Sequence, residues 1–354
     1  METTLVENLP HVTWVGVLIK AILILAVISA IAGFGTFIER KVLAFMQRRL
    51  GPMHVGPYGL LQLAADGIKL FTKEDIVPQN ANKFIFMIAP IITAATAFIA
   101  LSAVPVFPNF TIPELFIFWD WIPFIGGLTF GGVFVPSIAA DLNIGILFVL
   151  GMMASGLYGP LLAGMSQANK WGIIGAARTA VQFLSYEVVT GLSILAPIML
   201  VGSLSFVDFN NHQAAGIGSW LIWQQPVAFV LFLIAGFAET NRTPFDLLEH
   251  EAEIVSGYAT EYSGMRWGMF FIGEYANMIT ISIIAAIVFL GGYSEGGIGW
   301  LTIIMKVGFF FFLMLWVRAA WPHVRPDQLM WLCWKVLMPI AVINVVITGI
   351  VMMV

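Results

Sequence analysis

Residues 179–203 read T-A-V-Q-F-L-S-Y-E-V-V-T-G-L-S-I-L-A-P-I-M-L-V-G-S. A bilayer core needs roughly 20 apolar residues in a helix, and this stretch supplies them with one charge inside, Glu187. Arg178 stands just before it, as a basic anchor at a membrane edge does. Seven more windows meet the same test, at about 12–37, 84–104, 141–164, 221–238, 265–292, 300–320 and 330–353. The expected fold is an all-α polytopic membrane protein, residues 1–354 forming a single membrane domain with eight transmembrane helices. A further apolar stretch near 112–138 is broken by Pro113, Asp120, Pro123 and Pro136, and reads as re-entrant or interfacial.

Composition agrees with this pattern. The 354 residues are 60% hydrophobic and only 10% charged. A soluble domain carries about 25% charged residues, so a soluble enzyme is excluded. The lone cysteine, Cys333, forms no internal disulfide, zinc site or iron–sulfur cluster by itself. The five histidines lie outside the apolar runs with no ligand spacing, so no metal is expected. No phosphate-cradling P-loop or dinucleotide-binding glycine motif is present. The first residues carry Glu2 and Glu7 but no Lys or Arg, unlike a cleaved signal peptide.

The basic residues orient the spans. Of the 16 Lys and Arg, all but Lys20 and Lys306 fall in one set of alternate loops. The opposite loops, 1–11, 105–140, 204–220 and 293–299, hold none. The positive-inside rule therefore puts both termini on the outer side and supports an even number of spans.

Two inner-side loops, 39–83 and 239–264, carry most of the polar chemistry. In the first, Gln62, Asp66, Lys69 and Lys73 recur at helical spacing, with Leu61, Ala64, Ala65, Ile68 and Phe71 on the other face. That pattern predicts an amphipathic helix on the membrane surface, either lying on lipid or walling a site shared with a soluble partner. The second loop is acidic. Glu239, Asp246, Glu249, Glu251, Glu253 and Glu261 face a single cation, Arg242. Thr243 as cap, Pro244 at the first position and Gly257 at the end predict a helix between them, with Asp246, Glu249 and Glu253 on one face. Crowded carboxylates raise one another's pKa and can share a proton near neutrality.

Acids also stand inside the spans. Glu187 and Glu274 lie roughly 12–14 Å past the inner-edge arginines Arg178 and Arg266. A mid-depth carboxylate costs about 2.5–3.5 kcal/mol on insertion scales, so such groups face a polar cavity or stay protonated. Glu239 closes the fifth span and Asp141 opens the third.

At these places the chain resembles the H subunit of the proton-pumping NADH–quinone oxidoreductase, respiratory complex I, a family whose mitochondrial counterpart is NADH dehydrogenase subunit 1. The similarity rests on F-I-E-R-K-V-L-A-F-M-Q-R-R-L-G-P-M-H-V-G-P-Y-G-L-L-Q-L-A-A-D-G-I-K-L-F-T-K-E-D at 37–75, R-T-A-V-Q-F-L-S-Y-E at 178–187, A-E-T-N-R-T-P-F-D-L at 238–247, E-Y-S-G at 261–264, E-Y-A-N at 274–277 and D-Q-L at 327–329. The resemblance implies a membrane component with no redox centre of its own, at the junction of the membrane and hydrophilic arms. It implies a quinone chamber to which Glu39, Arg40, Gln47, Asp66, Lys69, Phe71 and Arg242 contribute. It implies a proton path through Glu187, Glu239 and Glu274, with the acids Glu249, Glu251 and Glu253 of the second loop and, less directly, Asp141. NADH, FMN and iron–sulfur clusters would then belong to partner subunits. The partners implied are the quinone-site subunits, the small membrane subunits and the antiporter-like subunits, within a lipid bilayer and with no nucleic acid. A bacterial inner membrane is the expected home, with a mitochondrial inner membrane as the alternative. The membrane subunits of energy-converting hydrogenases share the pattern less fully. A secondary transporter would show internal repeats, and none is evident. The chain departs from the family at His250, which occupies a Gly position, and near Ala154 and Ser155, where some members carry an acid.

Overall fold

The computed structural model describes residues 14–105, 142–248, 251–293 and 299–353. The 112–138 stretch, Asp141, Glu249 and His250 lie outside them. Among the described residues the chain is helical, with no strands. In order the helices are α1 (Trp14–Met46), α2 (Gln62–Thr72), α3 (Lys83–Ser102), α4 (Gly145–Gly156), α5 (Tyr158–Ser166), α6 (Lys170–Val201), α7 (Phe206–His212), α8 (Leu221–Gln224), α9 (Pro226–Glu239), α10 (Glu251–Ile254), α11 (Gly264–Leu290), α12 (Gly299–Ala320), α13 (Pro326–Leu332) and α14 (Met338–Met353). Six helical stretches among the described residues are long and apolar enough to cross a membrane: 83–102, 145–166, 170–201, 264–290, 301–320 and 326–353.

The two other predicted spans take different forms. The first is helical but runs on to Met46, so Glu39 and Arg40 stand on a helix rather than in a loop. No Gly or Pro interrupts the sequence from Thr36 until Gly51, so nothing there ends the helix earlier. The stretch at 221–238 is not one helix but two, α8 and the 14-residue α9. Pro226 lacks an N–H and forces Gln225 out of the helical region, to φ −131° and ψ 56°. Gln225 then turns to α14, donating to Thr348 Oγ1 at 2.9 Å and accepting from Asn344 Nδ2 at 3.0 Å.

α11 is the central helix, with 72% of its apolar window buried. It packs against α1, α3 and α12, while α6 packs against α5, α9 and α14. Lipid is as apolar as leucine, so close backbone approach replaces the hydrophobic effect between spans. Thr93 of α3 shows this. Its side chain lies against Gly159 of α5 and Gly273 of α11, where a Cβ would clash. Hydroxyls within the spans bond back to their own helix, as Thr179 does to Gly175 O and Thr280 to Ala276 O. Each of these polar groups is thereby satisfied without a partner from outside.

The predicted helix from Pro244 to Gly257 does not form as expected. Residues 243–248 form a turn followed by irregular backbone, and α10 covers only Glu251–Ile254. Phe245, Leu247 and Leu248 are all buried, and one face of a helix cannot bury all three. Gln182 of α6 takes the Phe245 carbonyl at 3.0 Å, a bond that competes with the helical ladder. Asp246 and Glu253 consequently share no helical face. Gly257 does not end the helix as expected: α10 stops at Ile254, and Gly257 opens a 3-10 turn, Gly257–Ala259, with positive φ (48°).

Candidate functional site

One end of the helix bundle holds a buried ion network. Glu39, near the end of α1, is only 5% exposed, and Arg242, in the acidic loop, is 3% exposed. Arg242 Nη1 lies 3.3 Å from Glu39. Its Nε lies 2.9 Å from Glu274 Oε1 of α11. Arg318 of α12 pairs with Oε1 of the same Glu39 carboxylate. Tyr275 donates to Glu39 Oε2 at 2.5 Å, and Arg242 lies over its ring at 4.6 Å. Four separate elements thus meet on two carboxylates and two guanidinium groups. A planar guanidinium presents five N–H donors in a fixed fork, which suits it to holding several oxygens in one plane. Burial alone would lower the pKa of Arg242, but Glu274, Tyr275 and Glu39 outweigh it and raise the net value. The site therefore keeps its cation at all ordinary pH. Arg242 Nη2 is buried and has no hydrogen-bond partner among the described residues.

A second acidic group lies next to the first. Glu239, the last residue of α9, is 4% exposed, and the charge of Glu187 on α6 is near enough to act on it. Glu239 Oε2 and Tyr186 Oη are both buried with no hydrogen-bond partner among the described residues. Glu239 and Arg242 stand three positions apart in one loop, so the loop joins the two acidic groups.

The remaining predicted residues are placed differently. Arg40 neighbours Glu39 in sequence but turns outward, since successive helix positions point about 100° apart. It meets Asp66 of α2 at 2.6 Å, and Gln62 supports Asp66 at 3.0 Å. Lys69 is exposed, and so is Phe71. Gln47 is also exposed and accepts from Arg49 Nε at 2.8 Å. The apolar face of α2 is uncovered in the isolated chain, with Ile68 and Phe71 more than half exposed. In the acidic loop, Glu253 pairs with Arg178 of α6 at 2.6 Å. Glu251 begins α10. Asp246 is half-buried. Among the described residues no group of three or more His, Cys, Asp or Glu could hold a metal ion.

Arg318, Tyr275, Tyr186, Gln182 and Arg178 are not marked as site residues by the sequence. Arg318 counts there only as a topology signal, and it stands 279 positions from Glu39. Tyr275 and Tyr186 each adjoin a marked acid, and that adjacency is the signal available.

These observations define a helical membrane protein with a charged, buried network where an acidic loop meets three helices. The family model for NADH dehydrogenase matches residues 19–349. The H subunit of the NADH-quinone oxidoreductase of a Nitratiruptor species is 69% identical over 340 residues, 96% of this chain and 98% of that protein. The protein of the same name from Wolinella succinogenes is 65% identical over 340 residues, 95% of this chain and 97% of its own. That from Helicobacter pylori (strain Shi470) is 56% identical over 339 residues, 95% of this chain and 98% of its own. The chain belongs to the H-subunit family of NADH-quinone oxidoreductase and is a membrane subunit of that oxidoreductase complex.

Proposed function

We propose that this chain forms part of the quinone chamber where the hydrophilic arm meets the membrane, and that it couples quinone reduction to proton translocation through buried carboxylates. The observation that carries this reading is the pair of acidic groups, Glu39–Arg242–Glu274–Arg318 and Glu187–Glu239, joined by one short loop. Charge is expensive in such surroundings, so a change of charge nearby moves protons rather than leaving them in place.

The residues would divide the work. Asp66, Lys69 and Phe71 stand on α2 and Arg40 pairs with Asp66; with Gln47 they would line the chamber wall together with partner subunits. α2 would lie along the membrane surface. Reduction of quinone beside the Glu39–Arg242 network would alter the field on the acidic loop. Displacement of Arg242 would weaken its hold on Glu274 and carry Glu239 relative to Glu187. Protons would then pass along Glu239, Glu187 and Glu274 toward the antiporter-like subunits. The redox groups, FMN and iron–sulfur clusters, would lie in partner subunits, with NADH as donor. The chain would cross a bacterial inner membrane eight times with both termini on the periplasmic side.

Arg40→Ala tests the chamber assignment. Membranes carrying it should reduce quinone slowly while NADH-driven ferricyanide reduction by the hydrophilic arm is unchanged. Full quinone reduction in this variant would remove Arg40 from the chamber. Loss of both activities would mean failed assembly.

A further inference from the structure

Gln182 sits on α6 about one turn before Tyr186 and Glu187, and it is 1% exposed. Its Nε2 reaches three acceptors in the segment that opens the acidic loop: Ala238 O at 2.6 Å, Asn241 Oδ1 at 3.0 Å and Phe245 O at 3.0 Å. An amide nitrogen has two protons, so at most two of these bonds are fully made at once. Ala238 O belongs to the last turn of α9 and also accepts from Asn241 N at 3.3 Å. Phe245 O is also held by this side chain, in a loop that the local sequence would otherwise draw toward helix. Between the two carbonyls stand Glu239 and Arg242, one from each acidic group. The loop also meets the same helix at Gly175, whose Cβ position lies 2.8 Å from Tyr258 N, and at Arg178, through Glu253.

We propose that Gln182 is a positioning residue, which clamps residues 238–245 to α6 and so sets where Glu239 stands relative to Glu187. The inference deepens the proposed coupling role and rests on it for its functional consequence. Gln182 touches no quinone in this scheme. It acts by fixing the backbone on both sides of Glu239 and Arg242. Because three acceptors compete for two protons, the loop can exchange one bond for another without losing the clamp.

The test uses the intact complex in its membrane. With Gln182→Leu, amide exchange of residues 238–246, read by mass spectrometry, should rise about tenfold, equivalent to about 1.4 kcal/mol of lost local protection. Peptides from α3 and α11 should keep their protection. Gln182→His retains one N–H and should fall between wild type and Leu, and it serves alone if the Leu variant does not assemble. Unchanged exchange at 238–246 in the variants that assemble would overturn the clamp. The second readout is proton uptake by vesicles. Gln182→Leu (or His) should reduce it, yet add nothing further in a Glu239→Gln background. Losses that multiply would overturn the action through Glu239. A wild type with no quinone-dependent proton uptake would instead refute the proposed function, and the exchange result would still decide the clamp.

Discussion

Arg242→Met removes the cation at the centre of the network. The substitution keeps an unbranched apolar stem but deletes the ion pairs to Glu274 at 2.9 Å and to Glu39 at 3.3 Å. The side chains of Arg242, Glu39 and Glu274 are 4%, 7% and 13% exposed, so solvent offers the stranded carboxylates little relief. Removing one partner from a buried ion pair costs about 3–5 kcal/mol. That is roughly a hundred- to several-thousand-fold in the folded-to-unfolded ratio. Glu39 keeps Arg318 and the Tyr275 hydroxyl after the substitution. Adding Glu274→Gln should recover part of the damage, because one of the two carboxylates that faced Arg242 no longer carries charge. The assay is the denaturation midpoint of the purified complex, followed by dissociation of this chain. Wild-type stability in Arg242→Met would refute the network as a structural element. A double variant no more stable than Arg242→Met would refute the assignment of part of the cost to the Glu274–Arg242 pair.

Two other substitutions probe contacts at and beyond the site. Gly175→Ala places a methyl 2.8 Å from Tyr258 N and 2.9 Å from the Gly257 backbone, so backbone has to move. Overpacking costs about 1–3 kcal/mol and better helix propensity returns about 1, so the net effect should be a lower denaturation midpoint. Lys306→Met tests the opposite end of α11. Lys306 Nζ donates to Leu290 O at 2.6 Å and Gly292 O at 2.7 Å and lies 4.6 Å from the Trp220 ring centre. Losing charged bonds to two helix-end carbonyls should cost about 1.5–3 kcal/mol, visible in the same midpoint, with Lys306→Arg less affected.

Lys306 also shows what sequence can and cannot supply. It stands out as a cation within an apolar run, but its partners cannot be read, because they end a different helix. The helical positions are legible because a bilayer demands long apolar runs, and every predicted span contains helix among the described residues. The interruption at Gln225 is carried by Pro226, yet the apolar run around it hides the break. Local capping signals at Thr243 and Pro244 point to a helix, and the bond from Gln182 to Phe245 O wins instead. Glu39, Arg242 and Glu274 are each marked by residue type and motif. Their convergence, with Arg318, depends on contacts across more than 200 positions, which spacing cannot encode.

Coupling through the buried acids is the central claim, and the protons translocated per NADH oxidised test it most directly. Inverted membrane vesicles carrying Glu187→Gln or Glu274→Gln should show a lower ratio and slower coupled turnover than wild type, with ferricyanide reduction by the hydrophilic arm intact. An unchanged ratio and an unchanged rate in both variants would contradict it.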